Sequence, residues 1–237
     1  MKGFKYSVCW LLPVLLLVGC NSNPERGSQI KTRAFQVNDI ARSDVDMVAE
    51  IEIRLAMEYL QELMGKLYLR NPREWPKGGA DSIPRAVDRV FGASRDGQFP
   101  ELQGKQGSDS VMLAFDEGYR GDRVLAFIEG LRGMLLAAHN DKQDFYLTDE
   151  LDPQKLYNAA RNLEIASWTL SHARDSQGTL FLVSNETDGP VKNLSYERLF
   201  GKLIALQDNM ARIIAQGSNR RIKTFIQSVA SAVFVPI

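Results

Sequence analysis

Six large apolar residues, Val48, Ile51, Leu55, Tyr59, Leu63 and Leu67, recur at steps of three and four. That spacing lines one side of a helix and no side of a strand, so it commits this stretch to a helix with one buried face. Between them Glu50, Arg54, Glu58, Glu62 and Lys66 follow at four-residue steps, where favourable pairs each add about 0.2 to 0.5 kcal/mol on an exposed face. Ser43 or Asp44 offers the N-cap, and the helix is expected to stop near Arg70, before Asn71-Pro72.

The same period returns further on. Ser82 to Phe91 reads as a short helix with Pro84 in its first turn, and Val111 to Phe115 as a helical turn capped by Ser108 or Asp109. Asp122 caps a helix whose inward positions are Leu125, Ile128, Leu131, Leu135 and Ala138. Gly130 and Gly133 lie inside it, each costing about 1 kcal/mol against alanine, so they mark either the close approach of another helix or a kink. Asp152-Pro153 opens a helix running to about Arg174 with Leu156, Ala160, Leu163, Ala166 and Leu170 as its stripe. Ser195 caps another, with Leu199, Leu203, Leu206, Met210 and Ile213 inward and Gly217 at its end; a last one spans 219–234. Thr179 to Val183 has strand composition, and the turn-rich Ser184 to Pro190 returns the chain to Val191 as a minor β-hairpin. The expectation is an all-α bundle of about five main helices in one domain, residues 43–237. Residues 71–107 form a long, proline- and glycine-rich connection of the kind found as binding loops or as disordered segments.

Ahead of the domain lies a different chemistry. Lys2 and Lys5 precede an apolar run from Val8 to Val18, which ends in Leu17-Val18-Gly19-Cys20. The run is about half the roughly 20 residues needed to cross a bilayer, and it contains Pro13. This pattern resembles the signal peptide and lipobox of bacterial lipoproteins. The resemblance implies that residues 1–19 are removed and that Cys20 is acylated on sulfur and on its new amino group. The polar stretch that follows, with Pro24, Gly27 and no sustained apolar period, makes residues 20–42 a lipidated flexible tether. Each buried acyl methylene gains about 0.8 kcal/mol, so the implied three chains would hold the protein firmly to the membrane. Asn21, where aspartate would signal inner-membrane retention, implies the outer membrane, facing the periplasm.

Composition then narrows the chemistry. Cys9 leaves with the leader and Cys20 carries lipid, so the domain is expected to contain no disulfide, thiolate site or cysteine nucleophile. Lys2 and Lys5 also leave, which reduces 29 basic residues to 27 against 29 acidic. A near-balanced surface argues against nucleic acid as a partner. Arg220, Arg221 and Lys223 read as a solvated helix face.

His139 and His172 each fall near a helix C-terminus, where an imidazolium meets the dipole favourably, and neither sits in a metal-binding spacing. Asp141, Asp144, Asp149, Glu150 and Asp152 miss the ligand spacing of a calcium loop and read as caps and solvated acids. Ser108 and Ser110 lack a nucleophile elbow, Gly78-Gly79 lacks a phosphate-loop ending, and Glu117 and Glu129 alone do not identify a glycosidase pair. No cofactor and no metal is expected. The candidate partner-binding residues are Arg73 and Trp75 in the long connection and Tyr119 and Arg120 before the third helix, because Trp, Tyr and Arg are the usual interface anchors. The expected function is a non-enzymatic envelope lipoprotein that binds another envelope protein as a tether, assembly or accessory factor. A carrier or sensor of small apolar ligands and a cell-wall or lipid hydrolase are the alternatives.

Overall fold

Ser43 starts the first helix by a reciprocal exchange: its hydroxyl accepts from the Asp46 amide at 3.2 Å while the Asp46 carboxylate accepts from the Ser43 amide at 2.7 Å. The structure is a computed structural model that describes residues 43–92, 99–146, 149–187, 190 and 192–217. The leader, Cys20, the tether, Val191 and the expected helix 219–234 lie outside the described residues. Among those described, six helices form an all-α bundle: α1 (Asp44–Arg70), α2 (Ile83–Phe91), α3 (Gly107–Leu113), α4 (Arg123–Ala138), α5 (Pro153–His172) and α6 (Ser195–Gly217). None is long and apolar enough to cross a membrane.

α4 is the central helix. It packs on α1, α3 and α5, and Val124 to Ile128 are five consecutive buried residues, as a helix apolar on all sides requires. Gly130 explains how α3 comes so close: a Cβ there would lie 2.7 Å from the Gly107 carbonyl oxygen and from the Val111 amide nitrogen. Of the two readings left open for the glycines, Gly130 therefore serves close approach. At Gly133 the nearest atom to a Cβ would be 3.6 Å away, an ordinary contact. α3 begins after Gln106, earlier than the caps expected at Ser108 or Asp109, and the Ser110 hydroxyl donates instead to the Ala126 carbonyl at 2.8 Å.

On α1 the buried face is rotated from the expected stripe. Ala49, Ile53, Ala56, Leu60, Leu63, Met64, Leu67 and Tyr68 are buried, whereas Ile51 is 45% exposed and Val48, Leu55 and Tyr59 sit at the flanks. The physical reason is that small Ala49 and Ala56 let neighbouring helices approach, which a count of large side chains misses. α5 keeps its expected stripe, with Leu156, Ala160, Leu163, Ala166 and Leu170 all buried. It starts at the Asp152-Pro153 cap, where the Asp152 carboxylate accepts from the Gln154 amide at 2.9 Å. α5 and α6 run antiparallel, held by Arg161 to Asp208 at 2.8 Å near one end and Ser167 to Glu197 at 3.4 Å near the other.

The hairpin region forms two single antiparallel bridges, Arg174 with Leu180 and Glu186 with Asn193. Asn71 pins the segment between them to the end of α1. Its amide nitrogen donates to the Val183 carbonyl at 2.9 Å and its oxygen accepts from the Val183 amide at 2.8 Å, standing in for a paired strand.

Glu52 lies on the buried face of α1, 8% exposed, with no hydrogen-bond partner for Oε2. Burial raises its pKa from 4.5 to about 7. The unfolded chain ionises this group near 4.5, so stability is greatest below that pH, falls as pH rises towards 7 and levels off above. Glu52→Gln cannot ionise, and its stability relative to the wild type is expected to be more favourable at pH 8 than at pH 4 by about 2 kcal/mol. Urea denaturation at the two pH values checks this, and an equal effect at both would contradict it.

Candidate functional site

The chain segments carrying the four sequence candidates converge at the start of α4. Glu74, between Arg73 and Trp75, accepts from the Arg123 amide at 2.9 Å and from Lys77 Nζ at 2.6 Å. The Tyr68 hydroxyl donates to Asp122 Oδ2 at 2.8 Å, while Asp122 Oδ1 caps the helix by accepting from the Leu125 amide at 3.0 Å. Arg123 donates to the carbonyls of Ala114 at 2.7 Å and of Asp116 and Tyr119 at 2.9 Å each, and its guanidinium lies 4.8 Å from the Phe181 ring centroid. Burial lifts the Asp122 carboxyl to about 6 against the opposing pull of the Leu125 amide and the Tyr68 hydroxyl. Burial also pushes the Tyr119 hydroxyl to about 12 and lowers the Arg123 guanidinium.

This knot fastens the irregular connection to the bundle. Tyr119 is only 4% exposed and its hydroxyl is directed at the Asp122 carbonyl, 3.4 Å away, so it offers little to a partner. Trp75 is half-buried against the core in a 3-10 turn, Trp75–Gly78. Arg73 and Arg120 are exposed.

An accessible site lies elsewhere. Between α5, the first turns of α6 and the segment 180–187 runs an open groove of about 720 Å³, whose walls include Trp168, His172, Val183, Leu194, Glu197 and Ile204. Trp168 is 58% exposed, Leu194 53% and Val183 37%, which is a concentration of apolar surface in one place. One face of the Trp168 indole stacks on His172, centroids 4.7 Å apart and planes 15° from parallel. His172 Nδ1 is anchored to the Trp168 carbonyl at 2.8 Å, the Ser171 hydroxyl donates to the Ser167 carbonyl at 3.1 Å, and the Ser167 hydroxyl reaches Glu197. The first two of these bonds lie within α5, and the third crosses from α5 to α6. Arg70 with Glu186 at 2.9 Å and the Asn71–Val183 pairing fix the loop side to α1.

Trp168 was detectable in the sequence. It lies two residues from both Ala166 and Leu170, about 200° around the helix from that stripe, and a tryptophan on the polar side of an amphipathic helix is the signal.

His139 is fully buried, with Nδ1 at 2.9 Å from the Leu135 carbonyl, Nε2 unpartnered and its pKa lowered by burial. It packs as a neutral ring at the C-cap of α4, which corrects the expectation of an imidazolium at the helix dipole. Asp152 caps α5 and Asp149 pairs with Lys142. Among the described residues no three His, Cys, Asp or Glu side chains gather to hold a metal ion.

Fold and groove together define an all-α bundle that presents an open, partly apolar furrow beside its α5–α6 pair. Comparison with family models, curated proteins and solved structures found no match to this chain.

Proposed function

We propose that the protein is a lipid-anchored, non-enzymatic envelope protein whose helical domain docks a segment of another envelope protein in the α5–α6 groove, as a tether, assembly or accessory factor. The lipobox ending at Cys20 supports the anchor. The observation that carries the docking role is the exposed Trp168 in an open groove whose loop wall is bonded to α1, since binding energy concentrates in a few aromatic anchors. The carrier reading drew on the glycines of α4 and on the many aromatics; Gly130 is occupied in packing α3 against α4, and Phe127 packs edge to face on both Phe115 and Phe200 at the core. The hydrolase reading asked for two carboxylates or a histidine and a serine converging in a cleft. Glu117 binds Ser176 and Glu129 pairs with Arg132 at 3.2 Å, while in the groove His172 Nδ1 bonds the Trp168 carbonyl and the Ser171 and Ser167 hydroxyls bond the Ser167 carbonyl and Glu197.

The test places a photoreactive side chain at Leu194, on the groove rim, in growing cells. A discrete crosslinked species is expected there and not from Arg85 on α2, and Trp168→Ala should reduce it about tenfold, as loss of one anchor worth ~1.4 kcal/mol requires. Trp168 is exposed, so its removal leaves stability within about 0.5 kcal/mol. A crosslink undiminished in Trp168→Ala would remove the groove from the docking role.

A further inference from the structure

The charges of the groove are unequally matched. Glu186 is paired with Arg70 at 2.9 Å and Glu164 with Arg161 at 3.0 Å. Glu197 has only neutral donors, Asn185 Nδ2 at 2.8 Å and the more distant Ser167 hydroxyl at 3.4 Å, and among the described residues no cation pairs with it. Arg174, the other lining charge without an opposite partner, is tied to the Gly178 carbonyl of its own turn at 3.0 Å. In the same groove as Glu197, the Trp168 indole has one face stacked on His172 and is 58% exposed. An exposed indole and an uncompensated carboxylate lining one groove favour a cation, which gains from the ring quadrupole and from a charge-assisted hydrogen bond. Val183, Leu194 and Ile204 line the same groove and suit apolar neighbours of that cation.

We infer that the docked segment belongs to a protein partner and presents an arginine or lysine between apolar side chains, its cation over Trp168 and paired with Glu197. This rests on the docking role proposed above and specifies the partner's chemistry.

The experiment titrates full-length protein in detergent micelles, labelled at the indole nitrogen, with acetyl-Leu-Arg-Leu-amide, acetyl-Leu-Gln-Leu-amide and acetyl-Leu-Glu-Leu-amide. The Trp168 indole resonance is assigned by its loss in Trp168→Phe. The arginine peptide is expected to shift that resonance with about tenfold higher affinity than the glutamine peptide, the glutamate peptide being weakest, and Glu197→Gln should bring the first two within about twofold. No shift with any peptide, equal affinity for arginine and glutamine, a preference for glutamate, or indifference to Glu197→Gln would each overturn the inference. The docking role is judged separately: a crosslink at Leu194 that depends on Trp168 sustains it even if the cation preference fails.

Discussion

Gly130→Ala is expected to destabilise the domain by about 3 kcal/mol, while Gly133→Ala, three residues along the same helix, stabilises it by about 1 kcal/mol. The sign reverses because of what each methyl would meet. At position 130 it lands 2.7 Å from the Gly107 carbonyl, the Val111 amide and the Val111 Cγ2, and two of those three are backbone atoms that cannot rotate aside. α3 would have to move off α4, uncovering Val111 and the Ser110 hydrogen bond to the Ala126 carbonyl. At position 133 the nearest atom is 3.6 Å away, so the methyl fits and the helix gains the propensity advantage of alanine over glycine. Urea denaturation of the two variants checks both values. Destabilisation of similar size in both would mean that the α3–α4 spacing does not depend on Gly130.

Arg123→Met is expected to cost about 3 kcal/mol or more, because it leaves several buried carbonyls without their donor. The arginine binds Ala114, Asp116 and Tyr119 at once, and so closes the turn that leads into α4. Methionine retains much of the packing volume beneath Phe181 but none of the donors. Arg123→Lys keeps a positive charge while losing the planar fork, and it should recover only part of the loss. The effect should concentrate locally, with faster amide hydrogen exchange across residues 114–122 than in the α5–α6 pair. A cost below about 1 kcal/mol would mean that water replaces the guanidinium freely.

Local signals in the chain were sufficient for several helix starts, though not for α3, which begins ahead of Ser108 and Asp109, nor at Ser195, an expected cap that lies inside α6 with its hydroxyl unbonded. Ser43, Asp122 and Asp152-Pro153 each act through hydrogen bonds or backbone angles within a few residues, and all three start helices where expected. The face that a helix buries was legible when one wall dominates, as on α5, but less so on α1, which meets α2, α4 and α6. The hairpin region depended on Asn71, 112 residues away from Val183, and no local pattern carries a pairing of that separation. The site candidates divide in the same way. Tyr119 and Trp75 are residue types that anchor interfaces, and chain topology turned them towards the core beside Glu74 and Asp122. Trp168 escaped attention because it stands within a regular helix, although its position opposite Ala166 and Leu170 marks it as surface.

The proposed membrane anchoring of the docking domain depends on one modified residue, and the mass of the protein recovered from cell membranes tests this proposal most directly. It predicts a chain beginning at Cys20 that carries a diacylglyceryl group on sulfur and a fatty acyl group on the amine. A chain that retains residues 1–19 with an unmodified Cys20 would contradict it.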